Sequence, residues 1–195
     1  MKGKKIVLGV AALALVAVIA VMGTLAYLTS QDKVTNTFTI GQIEITLDEA
    51  PVDANGKATT GDRVKTNSYK LIPGHNYDKD PTVHVQPGSE ACYVFVKIED
   101  GIAASEDATT IADQVTAKGW TALGTDYPGI YYKTQAAVTG NAVDLVVFKT
   151  FKLTGNADVA QYENAQIVVT AYAVQQDGFA TAKAAWDATF GASGN

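Results

Sequence analysis

The run Cys92–Glu99 sets the strongest limit on what this chain can become. Cys92, Val94, Val96 and Ile98 fall on one parity and Tyr93, Phe95 and Lys97 on the other, so an extended strand here is largely apolar on both faces. Such a strand needs cover on both sides, which predicts a central position in a sandwich, with Cys92 as a small buried hydrophobe. Ala165–Gln175, rich in Ile167, Val168, Val169, Tyr172 and Val174, predicts another strand. Pro81–Gln86 reads as a short strand ended by Pro87-Gly88, and Trp120–Leu123 and Ile130–Lys133 as strands around Pro128-Gly129. Gly140-Asn141 is a hairpin signal followed by the long run Val143–Leu153.

Two short helices interrupt this pattern. Ser105 is placed to cap one that reaches Lys118, with Ile111 and Val115 one turn apart and Gly119 closing it. Near the C-terminus Phe179, Ala182, Trp186 and Phe190 form an apolar stripe of helical period that would lie against a sheet. Seven or more strands with turn signals predict an all-β fold: a jelly-roll-like β-sandwich with short helices in its connections.

The N-terminus carries a separate message. Lys2, Lys4 and Lys5 lead into the apolar run Ile6–Met22, followed by Gly23, Thr24, Leu25 and Ala26. A charged region, an apolar helix-forming region and a small-x-small site are the plan of a secretory signal peptide. Thr24 and Ala26 supply the small side chains, and the mature chain is predicted to begin near Tyr27. The run is also at the lower limit for spanning a bilayer, so a retained anchor stands as the other reading. The predicted organisation is a signal peptide over 1–26 and one domain over 27–195.

Directly after the signal comes a strand-like run, Thr35–Leu47. Phe38 and Ile40 share one parity and Ile43, Ile45 and Leu47 the other, with Gly41 where the parity changes. One extra residue at Gly41 makes a bulge that returns all five apolar side chains to one face. A strand at a newly exposed N-terminus can pair with its own sheet or with a neighbour's. Residues 51–67 hold almost nothing to bury and read as a polar surface loop.

Composition narrows the function. The signal holds three of the 15 basic residues, leaving 12 against 20 acidic and a mature net charge of about −8. An acidic chain without a basic cluster is a poor partner for nucleic acid or anionic membranes. With one cysteine, Cys92, no intramolecular disulfide forms and packing must supply stability.

No chemistry stands out. The two histidines, His75 and His84, begin no H-E-x-x-H motif and are only weak candidates for a metal site; Asp78 and Asp80 beside His75 add little. No G-x-S-x-G elbow or phosphate-binding G-x-x-x-x-G-K is present, and Cys92 lies mid-strand, a poor setting for a nucleophile. The residues point to no enzyme and to no cofactor.

The segments Gly23-Thr24-Leu25-Ala26-Tyr27-Leu28-Thr29 and Val34–Ile45 resemble the TasA/camelysin family, as do Lys70-Leu71-Ile72-Pro73-Gly74, Lys79–Val83, Cys92–Lys97 and Ala171–Gln175. The resemblance is specific at the N-terminus and looser from residue 100 to 160. It implies a signal processed by a SipW-type peptidase, and a secreted jelly-roll subunit of biofilm-matrix or surface fibres. It further implies a head-to-tail homopolymer built by donor-strand exchange. Carried over by position, the donor is about Leu28–Leu47, with Phe38, Ile40, Gly41, Ile43, Ile45 and Leu47 setting register. The family also includes proteins described as secreted metalloproteases, an activity for which these residues show no zinc motif. A monomeric adhesin or glycan-binding module, using Tyr127, Tyr131 and Tyr132 as stacking platforms, is the third expectation.

Overall fold

The computed structural model describes residues 29–31, as backbone, and 42–191. Among these the chain is mostly antiparallel β-structure with few short helices, as the strand count predicts. A five-stranded sheet runs in the order β1 (Thr29–Gln31), β10 (Ile167–Gln175), β5 (Cys92–Asp100), β7 (Ile130–Gln135) and β6 (Thr121–Ala122). A three-stranded sheet holds β2 (Ile45–Asp48), β4 (Thr82–Val85) and β8 (Val143–Val146). The pair β3 (Asn76–Asp78) and β9 (Thr150–Lys152) completes the set.

The five-stranded sheet is covered on both faces, which is what the double apolar pattern of β5 requires. On one face Val94, Val96 and Ile98 of β5 and Ala171 and Ala173 of β10 meet the smaller sheets, through Ile45, Val83, Val85, Leu145, Tyr77 and Phe151. On the other, Tyr93, Phe95, Tyr172 and Val174 receive the C-terminal helix α2 (Ala182–Phe190) through Ala182, Ala185 and Trp186. Each large side chain buried this way contributes roughly 1.5–3 kcal/mol. Gly129, at φ +76°, lets the turn before β7 close on β5, since a Cβ there would lie 2.5 Å from the Ile98 carbonyl oxygen.

Several local expectations are corrected. The first helix, α1 (Ile111–Ala117), is capped by Thr110 and not by Ser105. Thr110 forms a capping box with Asp113, its Oγ1 accepting from the Asp113 amide at 3.1 Å and its own amide donating to the Asp113 carboxylate at 3.0 Å. Ser105 has Ala108 at that spacing and instead accepts from the Tyr162 hydroxyl at 2.5 Å. The stripe residue Phe179 precedes α2, because Thr181 caps it by accepting from the Ala184 amide at 3.1 Å. Gly140-Asn141 joins no hairpin: β7 before it pairs with β5 and β6, and β8 after it pairs with β4 in another sheet.

The run Val143–Leu153 is not one strand. Val147 and Phe148 are consecutive and both fully buried, which a flat strand facing one core does not allow. The chain breaks there and passes from the three-stranded sheet to the β3–β9 pair. The polar loop 51–67 is exposed for most of its length yet ordered by the bridges Glu49–Val64 and Val52–Ala58.

Candidate functional site

The feature that sets this molecule apart is an edge. Along its inner side β10 pairs with β5 over all nine residues, from Ile167 opposite Asp100 to Gln175 opposite Cys92. Along its outer side only Tyr172, Ala173 and Val174 have a partner strand among the described residues, namely β1. The polarity of the remaining edge follows from the two ends of the ladder. The Gln176 amide donates to the Ala91 carbonyl at 2.9 Å, and the Gly101 amide to the Gln166 carbonyl at 2.9 Å. Antiparallel strands alternate, so the even-numbered residues of β10 bond β5. The odd-numbered Ile167, Val169 and Ala171 therefore turn their N–H and C=O groups outward.

Beside this edge lies a groove of about 990 Å³ whose apolar lining includes Leu47, Leu71, Ile102, Phe151, Ile167 and Val169. Its polar lining includes the ion pair Lys79 Nζ–Glu49 Oε2 at 2.7 Å, with side chains only 11% and 6% exposed. The far wall is β2, and there the backbone is already taken. Lys65 Nζ donates to the Leu47 carbonyl at 2.5 Å and Arg63 Nη2 to the Asp48 carbonyl at 3.1 Å. Glu49 exchanges both of its backbone bonds with Val64, at 2.9 and 2.8 Å. Basic side chains laid over a strand edge block further pairing, so one wall of the groove is capped, while the other, from Ile167 to Ala171, has no partner strand on its outer side among the described residues. Val168, on the open strand, is one of two exposed large hydrophobics among the described residues.

The predicted donor segment divides, and its stretch Thr29–Gln31 pairs with β10 of the same chain. Gln42–Glu44 lies along residues 86–90, with the Gln86 amide donating to the Glu44 carbonyl and the Glu90 amide to the Gln42 carbonyl, both at 2.8 Å. Ile45 and Leu47 belong to β2, paired in the same chain with Val85 and Val83 of β4, and Ile43 and Leu47 pack against the Ile45 core. Phe38, Ile40 and Gly41, and the cleavage positions Thr24, Ala26 and Tyr27, lie outside the described residues.

The histidines go to separate tasks. His75 Nε2 lies 2.8 Å from the Asn55 carbonyl oxygen, and its ring meets Tyr77 edge-on. His84 sits in the middle strand of its sheet, with Nε2 2.8 Å from Asp48 Oδ1 on β2 and Nδ1 2.6 Å from Asp144 Oδ1 on β8. Among the described residues no group of three or more His, Cys, Asp or Glu is arranged to hold a metal ion. Burial pushes the Cys92 thiol up to about 12, away from nucleophilic use. Tyr127 is no exposed platform: it is buried, and its hydroxyl donates to Asp187 Oδ1 at 2.5 Å while accepting from Lys183 Nζ at 2.8 Å.

The His84 tie is pH-dependent. Burial lowers the imidazole's pKa, but hydrogen bonds to Asp48 and Asp144 outweigh it and raise the pKa above the usual histidine value. A raised folded pKa means stability that is whole below about 6.5 and fades as pH rises through the higher folded value. His84→Gln is therefore expected to cost about 1 kcal/mol at pH 5.5, the scale of a partly screened ion pair, and less at pH 9. Urea denaturation of both proteins at the two pH values checks this.

No family model, curated protein or solved structure matches the chain. No helix among the described residues is long and apolar enough to cross a membrane. Sequence reasoning missed the open edge, the groove and the Arg63 and Lys65 caps, all of which arise from contacts between distant segments. The one trace in the sequence is β10 itself, whose apolar residues continue past Tyr172 to Val168 and Ile167.

Proposed function

We propose that the chain is a secreted structural subunit of extracellular fibres, assembled head to tail after its signal is removed by a SipW-type peptidase. The observation that carries this is the outer edge of β10, which from Ile167 to Ala171 has no partner strand among the described residues, beside a groove whose opposite wall is capped. Such a slot fits an extended segment that adds a strand: main-chain hydrogen bonds supply affinity, and alternate side chains entering the groove supply register. The occupant is the N-terminal segment of a second copy. Its delivered part ends before Gln42, because residues 42–48 are tied into the donor's own domain, and Thr29–Gln31, which pair with β10 of their own chain, must leave that edge to be delivered.

Phe38 and Ile40 fall within the delivered part and share a parity, so both can face the groove together. One surface accepts and a different segment gives, a heterologous contact that propagates into a filament unless it closes. The resemblance to the TasA/camelysin pattern supports the same reading, and with it a jelly-roll topology and an N-terminal signal helix. While the signal is attached, the donor is held at the membrane. Cleavage is then the switch that starts assembly, outside the cell.

The test is negative-stain microscopy and sedimentation of two purified chains, one beginning at Tyr27 and one at Gln42. Filaments from the longer chain and none from the shorter are expected. Filaments of equal yield from both chains overturn donation of this segment.

A further inference from the structure

The pairing of β1 fixes a register. Thr29 lies opposite Val174, Ser30 opposite Ala173 and Gln31 opposite Tyr172, so each step forward along the N-terminal segment is one step back along β10. The side chains of β10 divide by parity: Ala171 and Ala173, with Ile167 and Val169, join the core that faces the smaller sheets, and Tyr172 and Val174 join the core under α2. Residues directly opposite each other in a ladder share a face. A segment that continues this register past Gln31 therefore turns its even-numbered residues towards the smaller sheets, where the groove lies.

The residues that follow alternate in the same sense. The run Val34-Thr35-Asn36-Thr37-Phe38-Thr39-Ile40 has a threonine at every odd position, and Val34, Phe38 and Ile40 at even ones. Threonine suits the solvated face of a strand, so the parity of the residues and the parity set by β1 agree. The two are independent, since one is a pattern in residues 34–40 and the other a backbone pairing at residues 29–31.

We propose that the N-terminal segment of a second copy enters the groove in the register of β1, placing Val34 opposite Val169, Thr35 opposite Val168 and Asn36 opposite Ile167. The register rests on the acceptor reading given above, and exchange of one element between copies repeats the contacts that element makes within a single chain. The outward N–H and C=O groups of Ala171, Val169 and Ile167 then bond Asp32, Val34 and Asn36. Val34 and Asn36 face the groove beside two residues of its lining, while Asp32 meets Ala171, which is outside that lining. Phe38 and Ile40 run on past the end of β10, where Ile102 and Tyr162 line the groove. Asn36 is the polar member of this face, and its amide enters a groove whose Lys79–Glu49 pair offers a donor and an acceptor. On the other face Thr35 covers Val168, an exposed hydrophobic that belongs to neither core. A slip of one residue puts threonines in the groove and Phe38 and Ile40 in water.

A slip of two residues keeps the parity, so the test must read single positions. Directly opposite Cα atoms lie about 4.5–5.5 Å apart, within reach of a disulfide, and positions two residues along lie about 7–8 Å away, outside it. Mature chains beginning at Tyr27 and carrying Val168→Cys are mixed with chains carrying Lys33→Cys, Thr35→Cys or Thr37→Cys, under mild oxidation. A disulfide joining the two variants is then between copies by construction. Cys92 is fully buried with its thiol pushed up to about 12, and does not compete. Mass spectrometry is expected to find Thr35→Cys joined to Val168→Cys about tenfold more than either neighbour, in the sedimenting fraction. Preference for Lys33→Cys or Thr37→Cys overturns the register and leaves the acceptor reading standing. If no position joins across copies, the acceptor reading falls, and one chain carrying both Thr35→Cys and Val168→Cys decides the rest. Closure within that chain means that the register holds but the segment is kept, and failure to close overturns the register as well.

Discussion

Trp186→Ala is expected to destabilise the fold by about 3–5 kcal/mol, the range for emptying a large aromatic site in a packed core. Trp186 is 1% exposed and joins α2 to the five-stranded sheet. Its ring centroid lies 5.1 Å from that of Phe95, 5.4 Å from that of Tyr172 in an edge-on contact, and 4.6 Å from that of Phe190. A nine-residue helix is too short to hold itself, so its place depends on this packing. Removing the indole takes away its contacts with β5, with β10 and with the helix itself, and the remaining small residues, Ala182 and Ala185, cannot close the gap.

Trp186→Phe separates packing from polarity. The indole Nε1–H is buried and has no acceptor among the described residues, so replacing it by a ring without that donor relieves an unpaired polar group. The expected cost is about 1 kcal/mol, the packing loss being partly offset by that relief. Urea unfolding followed by far-ultraviolet circular dichroism gives both values; the alanine variant should shift the midpoint by about 2 M. A loss below about 1.5 kcal/mol for the alanine variant would mean that α2 covers the sheet without being needed for it.

The helix also shows what a sequence can disclose. The period of Ala182, Trp186 and Phe190 is local, and so is the double alternation of β5; both are visible in the residues and both recur in the fold. Helix starts depend on one side chain reaching one amide, which is why Ser105 and Thr110 could be confused until Asp113 is placed three residues after the true cap. The chain bends at Gly140-Asn141, but a two-residue signal carries no information on which strands its flanks will join. The break at Val147 and Phe148 has a similar cause: both residues are apolar, and only their burial side by side in one core distinguishes a break from a longer strand.

The groove was not legible at all. It depends on Arg63 reaching back to both Asp48 and Asp80, and on Lys65 reaching Leu47. Those five residues are scattered between Leu47 and Asp80 with no periodicity between them. An edge becomes open or closed only when the sheet order is known, and sheet order is set by pairings such as Ala171 with Val96 that no window of sequence contains. The donor shows the same limit. Its apolar pattern marked Ile45 and Leu47 as strand, and the pairing with β4 assigns that strand to its own domain.

Val169→Pro is expected to stop filament growth while leaving the folded subunit intact, and the alternation along β10 is the reason. Proline removes a backbone donor and is tolerated in a strand only where that donor faces outward. Val169 lies between Val168 and Thr170, which bond β5, so its own N–H points to the outer edge. The variant keeps the β5 ladder and loses part of one half-buried side chain, about 1 kcal/mol of subunit stability. An arriving strand loses more. It forgoes one hydrogen bond, leaves its own carbonyl unpaired against the groove, and meets the pyrrolidine ring where the amide hydrogen had been. Together these are worth about 2–3 kcal/mol, or roughly a 30- to 100-fold rise in the concentration needed for filaments. Thr170→Pro is the matched control: one residue away, it breaks the β5 ladder and should unfold the chain. Sedimentation across a concentration series measures both, with thermal unfolding to certify the fold. Undiminished filaments from a folded Val169→Pro chain, set beside none from the chain beginning at Gln42, would place the donor on some surface other than β10.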